Sequence, residues 1–544
     1  MKYIKIRNRF LKFKRSLLRK TLRGAIKLQG QKEKNSISEL SHIVKNYQLK
    51  KKQSFSSDYF FGRANINAEM VTRQFLITRF IQNQKFNDAT FRYEVSQNNF
   101  FLYGIPIEWQ KLLFPENNKI GFFVSTLFWY IKVTLYLFNG IVFILKAIFL
   151  SLLNILKSNH LNTKNFVYFQ DLSKAGFPFF YDIYSQKNIP LHKYLSINEN
   201  LENINILYGP LHNKIILDNK KLKYKKNTLI YFDDFKKIFR FLLWSFISIS
   251  GAIKDLIIEG DWVRAVMLKE ASHASAFRFS DTKAMANSYY FNNNSSFYRP
   301  LWTYEAEKKG SKILFYFYSS GIEPYKKSFS DRDNFTHAFY EIMTWSNYLV
   351  WDEGQAKFLS ETINISAEIK IIGPIFFKNN NLKQETFKNI ALIFDIQPFR
   401  YSFVKLLGID FYYMNYKTNK AFLEDCMEAV NETNLTLALK RKRDIYSLVH
   451  KGYAMLIKKL KVNGLKEIDS DIFTLELIKK SSMVISLPFT STSRIAKILG
   501  VPTIYYDPTG KIFKNDPASR GIKVVNNIKD LNKWVFQNSN KKLN

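Results

Sequence analysis

Residues 483–508, MVISLPFTSTSRIAKILGVPTIYYDP, read without a break as strand, hydroxyl-rich turn, short helix and second strand. A brief apolar run from Met483 to Leu487 ends at Pro488. Ile495, Ala496, Ile498 and Leu499 suit a short helix, which Gly500 and Pro502 stop. Two strands joined through a helix form a β-α-β crossover, and a crossover requires a parallel sheet. This stretch therefore commits its part of the chain to α/β architecture.

The turn itself carries chemistry. Thr490, Ser491, Thr492 and Ser493 crowd the helix start, and Arg494 follows. Hydroxyls at a helix start can cap it, or they can join the free backbone N–H groups in binding an anion. Capping needs one hydroxyl. Four in a row beside an arginine, at the carboxyl end of a strand where open α/β sheets bind ligands, point to phosphate.

The same alternation runs through much of the chain. Strand-like segments are expected at 165–170, 203–209, 214–217, 227–232, 312–321, 347–353 and 368–374, with a very apolar helix pair at 235–258. Residues 377–384, FKNNNLKQ, read as a linker. A second series follows: a strand at 389–398 whose end carries Asp395 and Gln397, a helix at 422–431, a strand at 435–444 running into Lys440, Lys442 and Arg443, and a terminal helix at 527–537. The fold class expected is α/β, with two Rossmann-like domains facing across a cleft. Residues 159–377 form the first domain and 385–544 the second, after an accessory region at 1–118 and an apolar segment at 119–158.

Charge and hydropathy describe the remainder. The chain has 544 residues and a formal charge of +37, which calls for a polyanionic or anionic-surface partner. Residues 1–34 are basic and amphipathic, with Glu33 their one carboxylate. They suit a helix on an anionic membrane or a solvated arm. From 121 to 156 the chain is nearly all apolar, yet Ser125, Lys132, Asn139 and Lys146 recur every seven positions. A helix with such a narrow polar stripe is best placed in a membrane interface or re-entrant, ahead of a two-span hairpin broken at Asn139 and Gly140 and of a buried core pair. The single cysteine, Cys426, excludes an internal disulfide or a cysteine metal cluster, and seven scattered histidines show no ligand spacing. No metal or cofactor is expected. No RNA-binding signature interleaves aromatics with the cations, so nucleic acid is not an expected partner.

The run SLPFTSTSRIAKILGVPTIYYDPTG resembles the signature of the bacterial polysaccharide-biosynthesis family named for its PFTS motif, here Pro488, Phe489, Thr490 and Ser491. Residues 295–320, 371–377, 393–398 and 437–444 resemble other parts of that family. Together with the two-domain organisation, the resemblance implies a GT-B-like glycosyltransferase. Its partners would be a nucleotide-sugar donor and a lipid-linked or growing surface-glycan acceptor, met at the cytoplasmic face of the bacterial inner membrane. In that setting Thr490, Ser491, Thr492, Ser493, Arg494, Lys440, Lys442 and Arg443 are candidates for the donor phosphates, and Gln397, Tyr506 and Asp507 for the nucleotide or sugar. Glu305, His273 and Asp281, in the first domain, are candidates for the base that activates the acceptor hydroxyl. Asp352 and Glu353 in WDEGQ resemble an acidic pair that holds the base in bacterial sialyltransferases, although a turn also explains them. A sugar-nucleotide epimerase on the same fold and a non-enzymatic polyanion or membrane binder are the alternatives.

Overall fold

The structure is a computed structural model. It describes residues 59–62, 68–76, 106, 119–156, 166–170, 205–208, 222–224, 232–292, 298–317, 319, 340, 343–363, 365–373, 389–398, 415–441, 449–468 and 474–539. The basic arm, the linker at 377–384, the strand expected at 214–217, most of that at 227–232, and Lys442 and Arg443 lie outside these residues.

Two parallel sheets organise the chain. The first comprises β1 (Phe166–Phe169), β2 (Asn205–Tyr208), β3 (Leu222–Tyr224), β4 (Ser288–Asn292), β5 (Lys312–Tyr316), β6 (Asn347–Val350) and β7 (Glu368–Ile371), in the order β3-β2-β1-β4-β5-β6-β7. The second comprises β8 (Ile390–Phe394), β9 (Thr436–Lys440), β10 (Lys466–Ile468), β11 (Met483–Ser486), β12 (Thr503–Tyr506) and β13 (Val524–Val525), in the order β10-β9-β8-β11-β12-β13. In each, the chain starts in the middle, walks out one way, then crosses back and walks out the other. The direction reverses between β1 and β4 and between β8 and β11, which is the doubly wound Rossmann arrangement.

The strands of the second sheet read as continuous apolar runs because helices cover both faces. Ala391 and Ile393 meet α7 (Tyr416–Asn431), α8 (Lys451–Val462) and α11 (Ile528–Ser539). Ile390, Leu392 and Phe394 face the other way, toward α9 (Thr474–Lys479) and α10 (Ser491–Ile498). The strands β3, β4, β10 and β13, the last of only two residues, are absent from the sequence expectation. β3 and β10 have three residues each, and Ser288 and Asn292 frame β4 with polar residues although all five of its side chains are buried.

The first core extends beyond its sheet. It takes in α1 (Ala68–Phe75), α2 (Lys119–Leu156), α3 (Phe235–Ile258), α4 (Val263–Phe279) and α5 (Leu301–Lys308) in one cluster. Two expectations change here. The apolar segment at 121–156 lies within one helix of 38 residues, Lys119–Leu156, with no break at Asn139 and Gly140. Gly140 serves packing instead: a Cβ there would lie 2.8 Å from Leu268 Cγ, so its absence lets α2 press onto α4. Likewise 235–258 is a single helix of 24 residues, begun by Asp234, whose carboxylate accepts from Lys236 N at 2.9 Å.

One stripe of α2 is buried, through Trp129, Val133, Gly140, Ile144, Ala147 and Ser151. Trp129 meets Trp262 edge-on at 4.9 Å. Ser151 Oγ donates to Ala147 O at 2.7 Å and accepts from Phe232 N at 3.0 Å. Burying each large apolar side chain contributes about 1.5–3 kcal/mol, so α2 is an integral layer of the first domain along this stripe.

Candidate functional site

The site grows from the point where the second sheet reverses. β8 and β11 are neighbours there, and Leu487 N donates to Phe394 O at 3.3 Å, which sets the PFTS turn directly beside Asp395. Open α/β sheets bind ligands in the crevice that such a reversal opens at the carboxyl ends of the strands. Ser486 and Leu487 are buried, the Pro488–Phe489 peptide is cis, and Phe489 packs edge-on against Tyr505 at 5.3 Å.

Thr490 is the N-cap of α10, yet its side chain makes no capping bond. Its hydroxyl donates to Ser486 Oγ at 2.8 Å and lies 3.0 Å from Thr492 Oγ1, while Tyr505 OH donates to Thr490 O at 3.0 Å. The hydroxyls are thus linked to one another and leave the helix start uncapped by Thr490. Thr490, Ser491 and Thr492 are half-buried, whereas Ser493 is buried and shares a hydrogen bond with Ser486. A half-exposed row of hydroxyls at a helix N-terminus suits an anion.

The other donor-site candidates separate into groups. Lys440 ends β9, beside β8, and is buried, with Nζ 3.4 Å from Arg441 O. Gln397 follows β8, and its Nε2 is buried with no hydrogen-bond partner among the described residues. Tyr506 and Asp507 follow β12 and are engaged locally. Tyr506 OH donates to Asp425. Asp507 accepts from Thr509 N and Ile512 N, both at 2.9 Å, which closes the turn after the strand.

Sequence reasoning gave no role to Asp395 and did not anticipate a seam between the domains at this edge. Asp395 is buried, with Oδ2 accepting from Tyr453 OH and Oδ1 unpartnered among the described residues. Burial pushes its carboxyl up to about 6, against the opposing pull of the Tyr453 hydrogen bond. A polar residue just after the apolar run IALIF is a signal for a site residue, but the tyrosine 58 positions away is not legible locally. The second feature is the seam between the domains. Asp352 caps α6 (Glu353–Thr362), accepting from Gln355 N at 2.8 Å, and lies just beyond the carboxyl end of β6. Its carboxylate also accepts from Arg520 Nε at 3.0 Å and pairs with Arg494 Nη1 at 3.5 Å. Arg494 comes from α10 and is itself buried, donating to Ala518 O at 2.8 Å. Carboxyl edge thus meets carboxyl edge, and the arginine of the motif helix forms part of the joint.

The first-domain candidates are each engaged separately. Glu305 is 3% exposed, and its Oε1 accepts from Arg278 Nε at 3.2 Å. The backbone of Gly62 presses so closely on that carboxylate that a Cβ there would be 2.4 Å away. His273, on α4, packs in tilted and edge-on contacts with Phe143, Phe277 and Trp302 at 5.3–5.5 Å. Asp281 is half exposed and pairs with Lys237, which also holds Asp233. Among the described residues no three His, Cys, Asp or Glu side chains converge as metal ligands.

Two Rossmann-like parallel α/β domains meeting at their carboxyl edges define a GT-B-like protein. The chain belongs to the polysaccharide biosynthesis PFTS motif protein family, which it matches over residues 244–535. No curated protein matches it. Among solved structures it is similar to a Methanocaldococcus jannaschii UDP-GlcNAc 2-epimerase in complex with UDP-GlcNAc and UDP, at 14% identity over 70% of this chain and 94% of that one, with a TM-score of 0.36. HepE from Anabaena, in complex with UDP, is 9% identical over 68% of this chain and 89% of that one, with a TM-score of 0.34. TarM is 13% identical with a TM-score of 0.29, and the match covers 48% of this chain and 48% of TarM, so the chain spans about half of TarM's length.

Proposed function

We propose that this protein is a metal-independent GT-B-type glycosyltransferase that moves a sugar from a nucleotide-sugar donor to a lipid-linked or growing surface-polysaccharide acceptor, at the cytoplasmic face of the bacterial inner membrane. The observation that carries this reading is the row of half-exposed hydroxyls, Thr490 to Thr492, at the helix start on the reversal point of the second sheet. A departing nucleotide phosphate gains charge, and preorganised N–H and O–H donors stabilise that charge without reorganising. Lys440 supplies a cation at the neighbouring strand end, Lys442 and Arg443 follow it in the sequence, and Gln397 offers an unpartnered donor beside the crevice. Arg494 acts differently. Held by Asp352, it fixes the motif helix against the first domain, where the acceptor and its base belong.

A sugar-nucleotide epimerase on this fold would need neither a membrane nor a glycan acceptor. The exposed apolar faces of α2 and α3 favour the transferase, because they suit an acceptor that is itself embedded in lipid. The test is incubation of the full chain with labelled nucleotide-sugars and membrane extract, scoring transfer, epimerisation and hydrolysis separately. Label passing into lipid or polymer supports the proposal. An altered sugar released on its nucleotide, without transfer, would assign the epimerase reading instead.

A further inference from the structure

Among the described residues, large apolar side chains that remain exposed gather on two helices: twelve on α2, nine on α3 and six everywhere else. Both helices lie on α4 and touch each other, and α4 is buried along most of its length. Their outward faces therefore make one surface. Phe138, Leu145 and Phe149 on α2 and Phe239, Phe246 and Ile257 on α3 are each 61–76% exposed. A contiguous patch of this kind marks an interaction site on a folded protein.

The charges on that surface select its occupant. Lys146, Lys236, Arg240 and Lys254 are exposed among the apolar side chains. α2 contains no carboxylate at all, and the single one in α3, Asp255, is buried and paired with Arg264 at 3.2 Å. On these two helices exposed acids stand only at the ends of α3, at Asp233, Asp234 and Glu259, so a second copy docking by the middle of the same face would set cation near cation. Anionic lipid headgroups above acyl chains take both the lysines and the apolar rings.

We propose that α2 and α3 together form an in-plane docking surface that seats the protein on one leaflet of an anionic bilayer, and that α2 does not span it. This rests on the membrane placement proposed above and goes beyond it by adding α3 and fixing the orientation. The buried stripe of α2 runs from Trp129 to Ser151, about 33 Å of helix at 1.5 Å per residue. A bilayer's hydrocarbon is about 30 Å thick. If that length crossed the membrane, α4 would be drawn in with it, along with Arg264, Lys269, Glu270 and Arg278 and the sheet beneath. Hydrocarbon excludes such charges and any non-helical backbone exposed to it. With α2 flat, the domain stays in water and only the outward faces reach the acyl boundary.

The experiment uses the full chain in sealed membrane vesicles of known orientation. Cys426→Ser removes the one native thiol, and Thr126→Cys and Asn154→Cys then report the two ends of α2 to a membrane-impermeant maleimide, with Phe138→Cys reporting its middle. The expected result is labelling of both ends from the same side and protection of the middle until detergent is added. Ends labelled from opposite sides would overturn the in-plane orientation while leaving membrane placement standing. Flotation with phosphatidylcholine vesicles, with and without phosphatidylglycerol, supplies the second arm. Binding should need the anionic lipid and fall at least tenfold in a Leu145→Glu, Phe246→Glu double variant with an unchanged thermal melt. Met455→Glu, at an exposed residue of α8, should leave it unchanged. No flotation of the unaltered chain would overturn both the surface and the membrane placement. A lipid-free dimer that the same double variant splits would assign the face to a second copy and overturn the proposal. Donor binding, measured alongside, stands or fails independently of either arm.

Discussion

Asp395 makes its part of the second domain sensitive to pH in a direction opposite to the usual carboxylate. Burial raises its pKa from 3.8 to about 6 in the folded chain. Between those values the folded state binds the extra proton, so the group's contribution to stability is full below pH 3.8 and is lost as pH rises through about 6. Each tenfold change in proton affinity corresponds to about 1.4 kcal/mol, so the ionised carboxylate costs the domain roughly 3 kcal/mol at pH 7.5. Asp395→Asn removes the charge and keeps an acceptor for Tyr453 OH. The unpartnered Oδ1 becomes an unpartnered amide, so that penalty carries over. The variant should therefore be more stable than the native chain by roughly 2–3 kcal/mol at pH 7.5, with the difference vanishing near pH 4. Urea denaturation read through hydrogen exchange of the β8 amides would measure it. A difference that does not change with pH, or a variant less stable at pH 7.5, would refute the reasoning.

Other substitutions test the remaining contacts. Asp352→Asn should loosen the seam by about 1–3 kcal/mol, because Arg494 is buried while the carboxylate is partly solvated; limited proteolysis between the domains should quicken. Glu305→Gln should lower the thermal midpoint by leaving the half-buried Arg278 without its carboxylate, a cost of about 1.5–3 kcal/mol, while donor affinity stays unchanged in a calorimetric titration. Gly140→Leu should force α2 off α4 and cost about 1–3 kcal/mol by overpacking, visible as faster exchange of the α4 amides. The reverse holds at exposed Val462, where Val462→Lys should leave the urea midpoint within about 0.5 kcal/mol.

The parallel sheets were legible because most of their strands are short apolar runs between turn residues, and the reversal unit at 483–508 is complete within 26 residues. The same locality made the hydroxyl row at Thr490 visible. What escaped were contacts that join distant residues. Asp352 looked like a turn residue because its ion partner Arg520 is 168 positions away, and Asp395 acquires its unusual environment from a helix that begins only at Lys451. Gly140, the break point of the hairpin alternative, stays helical for a different physical reason. An isolated glycine reads as a helix break by propensity, but close approach of another helix outweighs its cost of about 1 kcal/mol. Glu305 illustrates the converse. An acid in YRPLWTYEAE looks available to a substrate until the structure sets it against Arg278 under Gly62.

The central claim is that the PFTS turn holds the phosphate of a nucleotide-sugar, and isothermal titration calorimetry tests it most directly. Nucleotide-sugars and nucleoside diphosphates should bind saturably, and the matching nucleosides without phosphate should not. Removing hydrogen bonds to a charged group costs about 1.5–3 kcal/mol each, so Thr490→Val with Ser491→Ala should weaken binding more than tenfold while the thermal midpoint holds. Equal affinity in the native chain and that double variant, or no nucleotide-sugar binding at all, would contradict the account.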